Sequence, residues 1–114
     1  MKGTVKIGER EIPMLANGAT NIYYRQLTHK DLLSFFTKNS KQTVDDAENI
    51  DMLMPLAFVM AMQAEGKTSL SNDDYVEWLA QFEPLQVEMA LDSVMNIYTA
   101  NKATTSTAKK NNPR

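Results

Sequence analysis

The sequence predicts a mainly α-helical domain with a short β-hairpin at its N-terminus and a disordered C-terminal tail. Residues 52–62 form an apolar run of eleven positions, which is longer than most strands and too short to span a bilayer. Residues 4–7 instead alternate polar and apolar side chains, as a half-buried strand does. Residues 102–114 show no apolar periodicity. We therefore expect a small helical bundle of four to five helices within residues 1–101 and a disordered polar and basic tail at 102–114.

Length, cysteine content and charge limit the class of protein. The chain has 114 residues and no cysteine, so we expect a single domain without disulfides, thiolate metal sites or thiol catalysis. It begins without the apolar stretch of a secretion signal, and no segment is expected to span a membrane, so a cytoplasmic protein is predicted. All 14 acidic residues precede residue 101. This acidic body opposes nucleic acid as the main ligand.

The N-terminal segment has the pattern of a β-hairpin at about residues 3–15. Residues 4–7 and 11–15 flank a predicted turn at 8–10, where Gly8 can adopt a positive φ angle. Pro13 has no backbone N–H, which places its strand at a sheet edge. Two strands alone are marginally stable. The hairpin is therefore expected to lie on the helices or on another copy of the protein.

Two helix starts are predicted after the hairpin. Thr20 is expected to cap a first helix that runs to Leu27. Thr28 and Asp31 have capping-box spacing and indicate the start of a second helix. The apolar stripe of this second helix comprises Leu32, Leu33, Phe35 and Phe36. A polar loop at residues 40–45 is expected to follow it.

The apolar run is expected to lie in the longest helix of the domain. Acidic residues at 45–48 suit the positive end of its dipole, and Gly66 suits its C-terminal end. Pro55 removes one internal hydrogen bond, which predicts a kink or a delayed start near residue 52. The favoured interpretation is a helix buried on nearly all sides. Its four methionines leave open a partly exposed groove that adapts to a partner.

Two more helices are predicted towards the C-terminus. Ser71 and Asp74 have capping-box spacing at the start of a short helix. Its apolar face comprises Tyr75, Trp78, Leu79 and Phe82. Pro84 fits the first turn of a last amphipathic helix, which is expected to run to about Asn101. The apolar stripe of this helix comprises Val87, Leu91, Val94, Met95 and Tyr98.

No residue pattern in the sequence indicates catalysis. His29 is the only histidine, and a surface role is favoured over a metal centre or a catalytic base. Acidic clusters at 45–48 and 73–74 precede predicted helices, so helix capping is favoured over acid–base chemistry. The four glycines form no phosphate-cradling loop. We therefore expect no enzymatic activity, no cofactor and no metal site.

The remaining interpretation is a module that binds other proteins. Tyrosine and arginine are enriched at interface hot spots, which favours a contact cluster in the first helix. Methionine-rich and aromatic positions of the later helices are further candidates, although a lone Trp on an apolar stripe is more typical of a core. The candidate partner-binding residues are Tyr23, Tyr24, Arg25, Met54, Phe58, Met62 and Trp78.

Four sequence elements occur in a fixed order along the chain. They are the hairpin segment at 5–14, the segment 19–27 with Lys-Asp-Leu-Leu at 30–33, the helix Leu-Ala-Phe-Val-Met-Ala-Met-Gln-Ala at 56–64, and Glu-Trp-Leu-Ala-Gln-Phe-Glu at 77–83. Their order resembles that of the tail assembly chaperones of long-tailed bacteriophages (siphoviruses). The resemblance covers residues 2 to about 101, and the ordered set with its Trp-Leu-x-x-Phe element carries it.

The resemblance implies a specific function. Such chaperones are non-structural proteins of the host cell cytoplasm that are absent from the mature virion. They bind the tape measure protein, keep it soluble, and bring tail tube (major tail) subunits to it. Many are also made in a longer form by ribosomal frameshifting, and Lys109 and Lys110 lie where a run of adenines would support slippage. Self-association through the hairpin or an apolar groove is a further expectation.

Two alternative functions remain open at this point. The protein is alternatively a minor structural or connector protein of the phage particle, in which case it would be found stoichiometrically in purified virions. A small regulator that binds DNA through a helix-turn-helix is a third hypothesis, which the acidic body opposes.

Overall fold

The computed structural model describes residues 1–32, residue 34 and residues 47–100, and the fold is given for these residues. Two antiparallel strands come first, followed by helices that pack around one long central helix. The elements are β1 (Lys2–Ile7), β2 (Arg10–Leu15), α1 (Thr20–Thr28), α2 (Ala47–Ala64), α3 (Asn72–Leu79), α4 (Gln86–Met89) and α5 (residues 91–100). The mainly helical fold class and the N-terminal hairpin are confirmed.

The hairpin turns at Gly8 and Glu9, and Arg10 is already the first residue of β2. Gly8 has a φ of 64°, which suits the first central position of a two-residue hairpin turn. Pro13 pairs with Thr4. This pair is non-hydrogen-bonded when counted from the turn, so the missing N–H of Pro13 faces outward from the sheet edge.

One face of the hairpin rests on the helices. Its buried side chains are Val5, Ile7, Ile12 and Met14. The strands pack mainly on α2, and β1 also approaches α5 where a Cβ on Gly3 would lie 2.6 Å from Ile97 Cδ1. The expectation that the hairpin lies on the helices is therefore confirmed.

The apolar run lies in α2 and forms the centre of the core. From Leu56 to Ala61 every side chain is at most 1% exposed, which confirms the prediction of a helix buried on nearly all sides. The helix begins at Ala47 and continues through Pro55, so the alternative of a start delayed to residue 52 is wrong. Proline removes a single internal hydrogen bond, and the surrounding core contacts hold the helix together. No helix among the described residues is long and apolar enough to cross a membrane.

The C-terminal end of α2 follows the predicted signal at Gly66. Gly66 has a φ of 81°. Its N–H donates to the Gln63 carbonyl at 3.0 Å, and the Lys67 N–H donates to the Met62 carbonyl at 3.0 Å. These two bonds form a Schellman motif, which satisfies carbonyls that the helix end leaves without donors.

The three predicted N-cap residues, Thr20, Thr28 and Ser71, have different outcomes. The capping box of Ser71 and Asp74 is present, with both reciprocal bonds formed. Thr20 is instead the first residue of α1, where its buried hydroxyl donates to Gln63 Oε1 at 2.6 Å. Thr28 is the last residue of α1 and donates to the Tyr24 carbonyl at 2.9 Å. These two threonines are not N-cap residues, because both lie within α1. The Thr28 hydroxyl also accepts the Lys30 N–H at 3.1 Å, at the turn that ends α1.

The last predicted helix is divided in two. A break at Ala90 separates α4 from α5, whereas the sequence predicted one continuous helix. Leu85 precedes α4 in the left-handed region with a φ of 76°. The predicted stripe still packs, because Val87, Leu91 and Val94 are buried.

Several predictions lie outside the described residues. They concern Leu33, Phe35, Phe36, the loop at 40–45, Asp45, Asp46, the end of the last helix at Asn101 and the tail at 102–114. Leu32 is described and is fully buried in the core.

Candidate partner-binding site

Three of the candidate residues lie on one face of α2. Met54, Phe58 and Met62 are spaced at i, i+4 and i+8, so their side chains form a strip along the helix. We call these three residues the α2 strip. Met54 is half-buried, whereas Phe58 and Met62 are buried.

Helix α3 lies across the middle of the α2 strip. The Trp78 ring centroid lies 5.7 Å from that of Phe58, and the Tyr75 ring lies 5.4 Å from it. Trp78 is the one buried side chain of α3. This arrangement joins four of the candidate residues, Met54, Phe58, Met62 and Trp78, and explains why the tryptophan is a core residue.

A groove opens between β2 and α3 at the Met62 end of the strip. Its volume is about 510 Å³. The apolar floor of this β2–α3 groove is lined by Ile12, Pro13, Phe58, Met62, Leu70 and Trp78. The groove surface is therefore formed by α2 and α3 together with two residues of β2 and the loop before α3.

The rim of the β2–α3 groove is mainly acidic. Its carboxylates are Glu11, Glu65, Asp74 and Glu77. The two basic rim residues already have partners. Lys67 pairs with Glu65 at 3.4 Å, and Arg10 donates to Gln81 Oε1 at 3.0 Å and lies 5.1 Å from the centre of the Phe82 ring. Among the described residues, Glu11 and Glu77 form no ion pair, so the rim presents net negative charge to solvent.

The three candidates in α1 lie away from this groove. Tyr24 is fully buried, and its hydroxyl donates to the Met52 carbonyl at 2.7 Å. Burial raises the pKa of Tyr24 well above its ordinary value. Tyr23 is half-buried and Arg25 is exposed. Of these three candidates, only Tyr23 and Arg25 can contact a partner in this conformation, because the Tyr24 side chain packs α1 against α2.

The candidate residues in the core are also largely inaccessible to a partner. Phe58, Met62 and Trp78 are at most 7% exposed, so a partner reaches them only along the groove floor or through movement of α3. The acidic rim, by contrast, was not predicted. Its four carboxylates come from β2, the end of α2 and α3, and no local sequence pattern shows that these segments meet.

The groove offers apolar contact and negative charge. His29 is exposed at the C-terminal end of α1, away from the groove. Within the described part of the chain, no group of three histidine, cysteine or acidic residues is placed to hold a metal ion. The arrangement therefore suits a polypeptide segment with one apolar face and basic residues at its margins.

Comparisons with known proteins were made at the level of families, curated proteins and solved structures. None of the three gives a match to this chain. The resemblance to tail assembly chaperones therefore rests on the ordered sequence elements and stays a prediction.

Proposed function

We propose that this protein is a phage tail assembly chaperone that binds the tape measure protein. The observation that supports the proposal is the β2–α3 groove, where an apolar floor is framed by an acidic rim. In this proposal the groove holds hydrophobic helical segments of the client, keeps them soluble, and leaves the client able to receive tail tube subunits. The chaperone acts in the host cell cytoplasm and leaves before the virion is complete.

The floor of the groove suits a client whose sequence varies along its length. Met62 is unbranched and polarizable, so it adapts to side chains of different shape. A helix that docks in such a groove presents apolar residues at i, i+3, i+4 and i+7. Trp78 and Phe58 give this surface a rigid aromatic base. One groove can therefore accept many related segments of a long client.

The acidic rim contributes selectivity and solubility. Glu11 and Glu77 attract basic residues at the margins of a client helix and repel other acidic proteins. The whole chain carries a net charge of −2, and the residues before 101 hold all of its acidic groups. A complex that keeps charge exposed while the client's apolar face is covered stays soluble.

Co-expression with a candidate tape measure protein tests the proposal. We expect the wild-type protein to raise the soluble fraction of the client and to co-purify with it. The double variant Glu11→Lys/Glu77→Lys should weaken binding by about tenfold or more, because it reverses charge at the groove rim. Absence of both solubilisation and co-purification with the wild-type protein would refute the proposal.

A matched control separates the groove from net charge. Glu9 and Asp92 are exposed and do not line the groove. The variant Glu9→Lys/Asp92→Lys changes the total charge by the same amount and should bind the client as the wild type does. Equal loss of binding in both double variants would show that the groove has no special part.

The alternative of a minor structural or connector protein has a direct test. Mass spectrometry of purified particles should find this chain absent or far below the tail proteins in amount. Stoichiometric presence would replace the chaperone proposal by the structural alternative. The same measurement on infected cells detects the longer frameshifted form, which we expect to carry, after Lys110, peptides that are not in this sequence.

A further inference from the structure

A second cleft opens at the Met54 end of the α2 strip. Its volume is about 340 Å³, and Leu79, Phe82, Leu85 and Val87 complete its apolar lining. We call it the Leu85 cleft. Met54 and Met62 are eight residues apart on α2, which places the two ends of the strip about 12 Å apart. The cleft is thus separate from the β2–α3 groove, and α3 lies between them.

The backbone of Leu85 has a conformation that is unfavourable for leucine. Its φ of 76° lies in the left-handed region, where the Cβ of an L-residue is crowded and glycine or asparagine is preferred. Its side chain is nevertheless 61% exposed, so little burial offsets the strain. Strained, exposed positions of this kind are typical of sites that contact ligands.

A second exposed apolar side chain lies next to Leu85. The backbone carbonyl of Leu85 accepts the Met89 N–H at 2.9 Å, and the Met89 side chain, which does not line the cleft, is 81% exposed. Large apolar groups left in solvent beside a cleft are the usual mark of an interaction surface when they adjoin one another. The apolar lining of the cleft is therefore bordered by exposed apolar surface, which Leu85 and Met89 provide.

The charged side chains that line the cleft are both acidic. Glu83 and Glu88 line it, and no basic side chain does. A carboxylate pair at the edge of an apolar site favours a partner that carries lysine or arginine next to its apolar group.

We propose that the Leu85 cleft is a second docking site, which takes the apolar face of a helical segment that has basic residues at its margins. The site does not rest on the proposed function, because it lies outside the β2–α3 groove and binds on its own. In an extended client it would engage a different segment from the one in the groove. Two weak sites on one chain would then raise the overall affinity for a client that reaches both.

Methionine methyl groups give a readout that distinguishes the two sites. The probe is a synthetic amphipathic helical peptide with leucines at i, i+3, i+4 and i+7 and lysines beside them. With methyl-labelled methionine, its titration should shift the NMR signals of Met54 and Met89. A peptide with glutamate in place of every lysine should bind at least about tenfold more weakly. Shifts confined to Met62, no shift at all, or equal binding of the two peptides would overturn the proposal.

Variants of the cleft connect binding to its residues. Glu83→Lys/Glu88→Lys should abolish the preference for the lysine peptide that the Met89 shifts report, whereas Glu11→Lys/Glu77→Lys should leave the Met89 shifts unchanged. Leu85→Gly should weaken binding by about fivefold, because it removes an apolar contact, while thermal stability does not fall. A Leu85→Gly variant that is destabilised yet binds normally would show that the leucine serves the fold alone.

Discussion

Replacement of Tyr24 by phenylalanine isolates one buried hydrogen bond between α1 and α2. The ring of Tyr24 is fully buried, and its hydroxyl donates to the Met52 carbonyl at 2.7 Å. Met52 directly follows Asp51 in the sequence. Pro55 has no N–H, so the Asp51 carbonyl lacks the helical donor that a residue at position 55 would normally supply. The tyrosine therefore supplies a donor where the helix is weakest. The variant Tyr24→Phe keeps the ring packing and removes only this donor.

The expected loss of stability depends on which hydrogen bonds the Met52 carbonyl keeps in the Tyr24→Phe variant. A net hydrogen bond contributes about 0.5–1.5 kcal/mol, and a buried group left without any partner costs about 1–3 kcal/mol. Met52 can still accept the helical N–H four residues on, so its carbonyl is not orphaned. We therefore expect a loss of about 1 kcal/mol in the free energy of unfolding, or about 4–8 °C in Tm for a domain of this size.

Urea denaturation followed by circular dichroism measures this change at neutral pH. Tyr23→Phe is the matched control, because it deletes the same atom from the adjacent, half-buried residue. The hydroxyl of Tyr23 is not hydrogen-bonded to any described residue, so the control should change stability by less than about 0.5 kcal/mol. Equal stability of the Tyr24→Phe variant and the wild type would refute the argument that this hydroxyl supports α2.

Three further predictions concern pH and helix ends. Burial raises the pKa of Tyr75 to about 12. Because the folded pKa exceeds the unfolded value, the contribution of Tyr75 to the free energy of unfolding is complete below pH 10 and is lost as the pH rises towards 12. Urea denaturation across this pH range measures the loss. Gly66→Ala should lower the free energy of unfolding by about 1 kcal/mol, because the φ of Gly66 is 81°. Gly18→Ala is the control, since no atom lies within 4 Å of its new Cβ. In the same assay it should stay within about 0.5 kcal/mol of the wild type. Ser71→Ala should cost about 1 kcal/mol of thermal stability by removal of the α3 cap, and Ser71→Asp should restore most of it.

Local sequence signals correctly predicted the turn and the helix ends that depend on contacts between residues close in sequence. The hairpin turn at Gly8, the end of α2 at Gly66 and the cap at Ser71 each depend on bonds within a few residues, and all three are present. Thr28 has the same capping-box spacing as Ser71, and Thr20 was also predicted as a cap, but neither is an N-cap residue. A distant partner, Gln63, takes the Thr20 hydroxyl, and periodicity gives no information about such a contact.

The candidate site was predictable only in part for the same reason. The methionine and aromatic pattern indicated Met54, Phe58, Met62 and Trp78, which the fold does bring together. It gave no sign of the acidic rim, because Glu11 and Glu77 are 66 positions apart and meet only once the hairpin packs beside α3. The left-handed conformation of Leu85 was also not predictable, since leucine gives no local reason to adopt it.

The two interpretations of the apolar run, a sealed core and a partner surface, are compatible in this fold. The middle of the α2 strip is core, because Trp78 covers Phe58. Its two ends instead line the β2–α3 groove and the Leu85 cleft, with a methionine at each. This arrangement allows α2 to hold the domain together and, in the proposed function, to contact clients, because its aromatic residue lies under α3 and its deformable methionines lie at the openings.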